Sequence, residues 1–497
     1  MLICYTHDSL IDLTGTTIRG HNGFYGYAVG LYGCNWNLNN SNLDRWVFRD
    51  NYNLLHVRDA SNLTIENVTL EDLPQRLGYS YSSNVALRNV TLKDCGAAWM
   101  SWGDVSFNVA NCAFQNCKNH YAIYTGYSPV TIDGTSFTGN MKTAVYAHYN
   151  SRLRVSNSTF TGGKDWAIWS CMNQPTATWD DNNRHEFVDC TISGNTYGLR
   201  LVHASNQNLL LKNTNITGNG WYSVMYDTCN LTVNDQATNN WRVANNTNGP
   251  VVRYGSVVLE NVSSENNTTF GFFAEQGGHV TLVNCQSTGS KHGFFQNNAN
   301  TTLIDRCRFE GRGESNWGWA VYLEGGPIHV RNSIFTKFHQ GVLSQVLRGS
   351  SPSREFMNNT FAQMLPWASG LKVEAGSVTM RNNILAGNCS SGVAMRCSNG
   401  TVTQSHNLLD GFSTAYSGVT PSDSNVLKQA RFVNAATGDF HLAKGSPAIN
   451  SGTDLSAGFT TDMDGESRPA HHVFDIGAYE YSDSDGSVRV LKWIEHK

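Results

Sequence analysis

A short pattern recurs along most of the 497-residue chain and limits it to a repeat fold. Each copy has a small residue followed by alternating apolar and variable residues, as in Ala144-Val-Tyr-Ala-His148. The first apolar residue of each copy serves as a marker, which gives Ile123, Val145, Ile168, Leu199, Val224, Val252, Phe272, Phe294, Val321, Val342, Leu371 and Val393. Successive markers lie 20 to 31 residues apart, and a period of this length is typical of a solenoid.

A second pattern, apolar-any-Asn-any-any-apolar, lies inside these intervals, as in Met380-Arg-Asn382-Asn-Ile-Leu385. Asn or Asp fills its third position at residues 67, 89, 111, 157, 189, 213, 261, 284, 332, 358 and 382. Asn tolerates the left-handed backbone region, so the pattern predicts a sharp corner between two strands. Stacked copies of such a corner would place their side-chain amides in a ladder.

These patterns predict an all-β fold, a right-handed parallel β-helix of about 16 coils stacked about 4.8 Å apart. No apolar pattern of helix length lies between the strands, which excludes a βαβ fold, and a propeller blade would need about 40 residues. We expect the β-helix to occupy residues 1–410. Residues 411–497, where the period breaks, are expected to form a C-terminal capping module over the open end of the last coil.

Charge and hydropathy exclude two classes of partner. A net charge of −4, with 15% charged residues, argues against a nucleic-acid-binding surface. No run of 18 apolar residues is present, so we expect no membrane-spanning segment. Cys112, Cys190 and Cys285 directly follow the Asn or Asp corner, and Cys307 follows Arg306 at the equivalent place, which predicts a buried stack of thiols. Cys389 and Cys397 are close enough in sequence to pair.

The repeat resembles the right-handed parallel β-helix class, which includes pectate lyases, polygalacturonases, chondroitinase-B-like and alginate lyases, and phage tailspikes. This resemblance implies an extracellular protein that binds and cleaves a polysaccharide. It also implies a rival class of non-catalytic adhesins, fibre-forming surface proteins and tailspike-like rods. The chain lacks the catalytic motif sets of the polygalacturonases and pectate lyases, so no catalytic residue is carried over from those families.

The tail contains Asp439-Phe-His-Leu-Ala-Lys-Gly-Ser-Pro-Ala-Ile-Asn450 and Asp475-Ile-Gly-Ala-Tyr-Glu-Tyr481. This pair resembles the choice-of-anchor module that ends many secreted bacterial β-helix proteins, which implies an extracellular or cell-surface location. Asp462, Asp464 and Glu466 form an acidic turn, more typical of an exposed loop than of a calcium site. His471 and His472 are a weaker metal candidate.

The alternation also predicts which residues face outward on stacked coils. The residue after each marker, such as Arg253 or Ala394, falls in a first outward column, and the residue two further on, such as Arg396, falls in a second. The two columns carry aromatic residues at one end, and carboxylates with cations in the middle. Aromatic platforms beside a polar centre are typical of sites for elongated sugar chains. The predicted substrate-binding residues are Tyr124, Tyr146, His148, Trp169, Arg200, Phe273 and Glu374.

Two reactions fit the polar centre, with a lyase acting on a uronate-containing glycan favoured over an inverting glycoside hydrolase. The predicted catalytic residues are Asp227, Arg253, Glu275, Tyr322, Glu324 and Lys372. A lyase must neutralise the uronate carboxylate, with Arg or with Ca²⁺ held by Asp227, Glu275 and Glu324, and must supply a base. A hydrolase would use two carboxylates, and residues two coils apart have backbones about 9.6 Å apart at the 4.8 Å spacing.

Overall fold

The protein is a parallel β-solenoid in a computed structural model. The structure describes residues 53–482 except 73–75, 119–120, 150, 172–184, 206–208, 235–240, 314–316, 346–351 and 471, together with residues 2–4, 10–12, 17–19, 29–39 and 42–44. Each coil contains three strands, here named A, B and C in chain order, which pair in parallel with the strands of the same letter on neighbouring coils. The predicted fold class is confirmed, and the coil count differs slightly from the predicted 16.

The A-strands are the longest and form the face on which the candidate site lies. They comprise Leu2–Cys4, Val29–Tyr32, Asn53–Arg58, Arg76–Tyr81, Ala97–Trp102, Tyr121–Gly126, Thr143–His148, Trp166–Cys171, Tyr197–Val202, Tyr222–Asp227, Val251–Arg253, Phe270–Glu275, His292–Asn297, Trp319–Leu323, Gln340–Ser344 and Ser369–Val373. The last two long strands, Ile384–Cys397 and Leu408–Ser417, run through both the C and A positions and join these strands into one sheet.

The B- and C-strands complete each coil. The B-strands are Leu10–Asp12, Asn35–Asn39, Asn62–Glu66, Asn84–Arg88, Ser106–Ala110, Pro129–Asp133, Arg152–Ser156, His185–Val188, Leu209–Lys212, Asn230–Asn234, Ser256–Glu260, His279–Val283, Thr301–Asp305, Ile328–Arg331, Ser353–Met357, Ser377–Arg381 and Thr401–Ser405. The C-strands are Thr17–Arg19, Asn42–Asp44, Thr69–Glu71, Thr91–Lys93, Ala113–Gln115, Ser136–Thr138, Thr159–Thr161, Thr191–Ser193, Asn215–Thr217, Arg242–Ala244, Ser263–Glu265, Gln286–Ser290, Arg308–Gly311, Ile334–Thr336 and Thr360–Met364.

The core fills the inside of the solenoid with side chains stacked coil over coil. Ile123, Val145, Ile168, Leu199 and Val224 pair in register and are all fully buried, as the marker pattern predicts. C-strand phenylalanines add a second column, in which Phe137 and Phe160 stack with ring centroids 4.8 Å apart. Burying each such side chain contributes about 1.5–3 kcal/mol, so the inward pattern stabilises the coil.

The predicted Asn corners are confirmed at all eleven positions, because each of these residues has a positive φ between 47° and 57°. Their amides form the predicted ladder, in which Asn89 donates to Asn67 and Asn67 to Asn39 at 3.0 and 2.8 Å. A second ladder of side-chain amides, which was not predicted, is buried and lies one residue or more beyond the corner. Asn359 donates to Asn383, and Asn383 to Asn407, at 3.0 and 3.1 Å.

The cysteines follow the sequence interpretation in part. Cys112, Cys190, Cys285 and Cys307 are buried free thiols, as predicted. Cys389 and Cys397 are also free, so the pairing that their spacing permits does not form. Cys285 and Cys307 are neighbours, whereas Thr135 and Ser158 lie between Cys112 and Cys190, so the predicted stack is interrupted. The thiols act as small apolar core residues.

The tail lies along the side of the solenoid. Its Asn450–Tyr481 region bonds to the outward C-side, where Asn358 donates to the carbonyl of Asp475 at 2.8 Å, and its apolar residues cover Ile334 and Ile384. Near the last coil, Asn425 continues the buried amide ladder by accepting from the backbone of Asn407 at 2.8 Å. The tail strands are Phe432–Asn434 and Asp439–Leu442, with the 3₁₀ turn Ala435–Thr437 between them. In the described ranges, no helix is long and apolar enough to cross a membrane.

Candidate functional site

The outward side chains of the A-strands form two columns that run along one face, which we call the track. Pairing places Tyr124, Tyr146, Trp169, Arg200 and Met225 on successive coils of the first column, as predicted. The second column includes Asp227, Arg253, Glu275, Asn297, Glu324, Gln345 and Glu374. All thirteen predicted site residues therefore lie on the same face of the solenoid.

The position predicted for Arg253 was wrong. The sequence spacing places it in the first column, but its strand pairs Asp227 with Arg253 and Arg253 with Glu275. The reason is that Pro250, which follows Gly249, occupies the position of the first apolar residue, so the alternation starts two residues earlier than the marker Val252 implies. The shift places a guanidinium group between the two predicted carboxylates.

A similar shift occurs at the far end of the track. Lys372 pairs with Arg396, so Arg396 belongs to the first column rather than the second. Ala394, predicted to face outward, is fully buried in the core. The cause is the long strand Ile384–Cys397, whose irregular register delays the alternation by two residues.

The aromatic end of the track is a continuous stack of rings. The centroid of Tyr146 lies 4.9 Å from that of Trp169, 5.4 Å from that of Tyr124 and 5.3 Å from that of His148. Burial raises the pKa of Tyr146 to about 12, so its hydroxyl remains protonated at neutral pH. These rings offer apolar faces and neutral polar edges to a ligand that lies along the track.

Three further aromatic residues, which the sequence interpretation missed, widen this end. Trp102 lies on the preceding coil, with its ring 6.2 Å from Tyr124 and parallel to it. Tyr127 and Tyr149 stack on each other at 5.3 Å and have φ values of 54° and 47°. The same turn has a positive φ on other coils, as at Thr228 (56°) and Gln276 (47°), so this backbone conformation is a regular feature of the coil.

The charged centre begins where the aromatic end stops. Arg200 lies over the ring of Trp169, with its guanidinium carbon 4.3 Å from the ring centroid. It also pairs with Asp227 at 2.5 Å between the nitrogen and Oδ2. Asp227 is only 7% exposed, so the pair holds a carboxylate that would otherwise be costly to bury.

The other half of the charged centre is Arg253 with Glu275. Nε of Arg253 lies 3.6 Å from Oε1 of Glu275 and donates to Oε1 of Gln276 at 2.6 Å. Burial raises the pKa of the Glu275 carboxyl; the Arg253 charge lowers it in part, and the charge of Asp227 adds to the rise. Glu275 is therefore a carboxyl group suited to proton transfer nearer neutral pH than an exposed glutamate.

An apolar stretch separates this centre from the rest of the track. Phe273 stacks on Phe295 at 4.9 Å, and Phe295 lies 4.8 Å from the ring of Tyr322. Phe273 is only 7% exposed. It therefore offers a ligand far less surface than its predicted role as a platform requires.

A second polar cluster lies beyond the apolar stretch. The Tyr322 hydroxyl donates to Glu324 at 2.7 Å, and Gln345 donates to Glu374, which also pairs with Lys372. Burial, together with the hydrogen bond to Glu324, raises the pKa of Tyr322. The hydrogen bond from Lys372 lowers the pKa of Glu374. The cluster is a hydrogen-bonded network with two carboxylates and one cation, in which Tyr322 and Lys372 are each engaged with a carboxylate.

The acidic groups considered as metal ligands have protein partners. Within the ranges that the structure covers, no three or more His, Cys, Asp or Glu side chains are arranged to hold a metal ion. Asp462 is buried and accepts hydrogen bonds from the backbone nitrogens of Asp464, Glu466 and Glu480. These bonds stabilise the turn. His471 lies outside the described residues.

Sequence signals for the missed residues exist but are weak. Trp102 follows the same alternation as the counted repeats, and extending the markers one coil upstream would have found it. Tyr127, Tyr149 and Gln276 each stand one residue after a second-column position. They are visible only once that position is known to be a left-handed turn.

Comparison with known families agrees with this architecture. The family described as right-handed beta helix region matches residues 27–183, 100–256 and 239–409, which overlap to cover most of the solenoid. A search of curated proteins finds no match. The handedness predicted from the resemblance is thereby confirmed, and the chain belongs to the right-handed β-helix family.

Proposed function

We propose that the protein binds an acidic polysaccharide along the track and cleaves it at the charged centre, outside the cell or at its surface. The observation that carries this proposal is the register of the columns, in which stacked rings lead directly into Arg200, Asp227, Arg253 and Glu275. From Tyr124 to Lys372 the first column spans ten coil intervals, or about 48 Å at 4.8 Å per coil. That length suits an extended chain rather than a small molecule.

The charge at the centre favours an acidic sugar. Arg200 and Arg253 place two guanidinium groups two coils apart, about 9.6 Å along the solenoid, and guanidinium binds carboxylates in a planar, two-pronged geometry. Each arginine lies beside a protein carboxylate. A uronate carboxylate would replace that carboxylate as the anionic partner of the guanidinium group. Arginine can thus supply the neutralisation that a lyase requires.

In the lyase reaction, a base removes the proton alpha to the uronate carboxylate. The carbon–oxygen bond to the leaving sugar then breaks, a carbon–carbon double bond forms, and the leaving oxygen takes up a proton. Tyr322 lies three coils from Arg253, about 14 Å away, and Lys372 lies farther, so neither serves the sugar that Arg253 holds. Glu275 is the group in reach of Arg253, and its raised pKa suits proton transfer.

Inverting hydrolysis is the second candidate, favoured by one specific observation. Asp227 and Glu275 lie in register two coils apart, so their backbones are separated by about 9.6 Å, close to the 6.5–9.5 Å range of inverting carboxyl pairs. Glu275 would be the acid and Asp227 the base. Arg253 between them leaves less room for water than an inverting site needs, so the lyase is favoured.

The test compares the wild-type protein with Glu275→Gln on a panel of uronate polysaccharides and neutral glycans. We expect wild type to produce absorbance near 235 nm from the unsaturated product, and Glu275→Gln to lower the rate at least 100-fold. Thermal unfolding should change little. Reducing ends without that absorbance would replace the lyase by the hydrolase.

Two controls complete the experiment. Glu66→Gln removes the same charge on a B-strand and should leave activity unchanged. Parallel assays with calcium and with a chelator decide whether Ca²⁺ held by Asp227, Glu275 or Glu324 belongs in the mechanism. Full activity in Glu275→Gln would refute the proposed centre, and no product from any glycan would leave the non-catalytic surface protein as the better account.

A further inference from the structure

A small basic recess lies at the edge of the track, where the C-strands turn into the A-strands. Its volume is about 40 Å³, and its lining comprises Lys291, Arg312, Gly313, Gly318, Lys337, Phe338 and His339. A water molecule requires about 10–15 Å³ by this measure, so the recess has room for a group the size of a carboxylate or a sulfate.

Three cationic side chains reach the recess from three successive coils. Lys337 pairs with Glu310 at 2.6 Å. The Arg312 guanidinium donates to the backbone carbonyls of Gly289 and Asn267, at 2.7 and 3.1 Å, and Lys291 makes no ion pair with any described residue. Among the described residues, neither Arg312 nor Lys291 has a carboxylate partner, and these two positive charges favour an anion in the recess.

An exposed tryptophan stands beside these cations. Trp317 is 67% exposed, and its ring centroid lies 4.9 Å from that of His339. The exposed indole does not contribute to the core of this coil, because that core is formed by inward residues such as Val321. An exposed ring next to an anion site is the arrangement that binds an acidic sugar, with the ring under the sugar face.

The recess is joined to the track by one strand. The backbone nitrogen of Trp319 donates to Nδ1 of His292 at 3.1 Å, and the His292 ring lies 6.0 Å from that of Tyr322 in the first column. Burial and the nearby Lys291 charge lower the pKa of His292 to about 4, so it is a neutral acceptor. The recess therefore lies beside the first column at the coil of Tyr322.

We propose that this recess binds a sulfate or carboxylate group of a saccharide whose ring stacks on Trp317. The inference deepens the proposed function by assigning a second point of contact to an acidic substrate, one that is distinct from Arg200 and Arg253. Sulfate and carboxylate share the recognition chemistry, and the ligands in the experiment separate them.

The experiment measures equilibrium binding to the full chain carrying Glu275→Gln, which keeps the ligand intact. The probes are a heparin-derived sulfated oligosaccharide, an oligogalacturonate and a neutral malto-oligosaccharide. Lys291→Ala and Trp317→Ala should each weaken binding of at least one acidic probe about tenfold, because each removes one direct contact. Lys212→Ala, an exposed lysine on a B-strand, is the matched control and should change nothing.

The acidic probe that loses more affinity in Lys291→Ala identifies the group that enters the recess. Unchanged affinity for both acidic probes in Lys291→Ala, an equal loss in Lys212→Ala, or tightest binding of the neutral probe would each overturn the inference. Failure here is distinct from failure of the proposed function. Cleavage abolished by Glu275→Gln would stand without the recess, and weakened binding in Lys291→Ala would stand without cleavage.

Discussion

The outward surfaces of the A-strands and of the B-strands, here called the A-face and the B-face, belong to the same solenoid, yet their chemistry differs. Outward residues of the described B-strands include no Phe, Trp or Tyr, and some of them bond to one another in polar rows, as where Asn84 donates to Asn62 at 2.8 Å. The A-face carries stacked rings and nearly buried carboxylates. Because the inward residues already hold the coil together, the A-face residues are free to serve a ligand.

The largest difference should appear between inward and outward aromatic residues. Phe137 is fully buried between Phe114 and Phe160, so Phe137→Ala should destabilise the protein by about 3–5 kcal/mol. Tyr146→Ala on the track should cost only about 1 kcal/mol, the scale of its ring contacts. Chemical denaturation midpoints measure both, and a Tyr146→Ala loss equal to that of Phe137→Ala would mean that the track is structural.

Asp104 is a buried carboxylate that has no cation partner among the described residues, and it sharpens the contrast with Asp227. Asp104 is 3% exposed and accepts hydrogen bonds from Ser101 Oγ and the backbone nitrogen of Ser83, at 2.7 and 2.9 Å, as well as from Ser80. Burial raises its pKa to about 6, and these hydrogen bonds offset only part of that rise.

The sign of the pH dependence of Asp104 follows from that rise. The contribution of protonated Asp104 to the free energy of unfolding is fully present below the unfolded pKa of about 4. It is lost as pH rises through the folded pKa of about 6, and its size is about 3 kcal/mol. Asp104→Asn should therefore stabilise the protein at pH 8 by up to that amount and change little at pH 4. Denaturation of both proteins at the two pH values checks this, and equal destabilisation at both would contradict it.

The smallest difference in stability loss between the two faces should come from breaking their ion pairs. Arg200→Ala leaves Asp227 buried without its partner and should cost about 2 kcal/mol. Arg154 on a B-strand lies 3.8 Å from Glu186 and is 41% exposed, so Arg154→Ala should cost at most about 0.5 kcal/mol. Denaturation midpoints decide, and matching losses would remove the distinction between the two faces.

Periodic features of the fold were predictable from the sequence, whereas lateral contacts were not. The corners at Asn67 and Asn382 repeat at a fixed place in the coil, so residue type and spacing suffice to assign them. Arg253 was misplaced because Pro250 takes the marker position, and only strand pairing shows this.

The candidate site was predictable only in part. Its columns follow from alternation, which brought Tyr146, Trp169 and Arg200 together correctly. Partners that arise from turn conformation, such as Gln276 for Arg253, have only the weak signal of following a second-column residue. The burial of Phe273 under neighbouring rings could not be predicted from the sequence either, because it depends on how those rings pack.

The central claim is that the track is a polysaccharide site with its reactive centre at Arg253 and Glu275. A crystal structure of Glu275→Gln soaked with an oligouronate tests it most directly. We expect sugar rings over Tyr146 and Trp169, with one uronate carboxylate contacting Arg200 or Arg253. Oligosaccharide bound only on another face, with the track empty, would contradict the account.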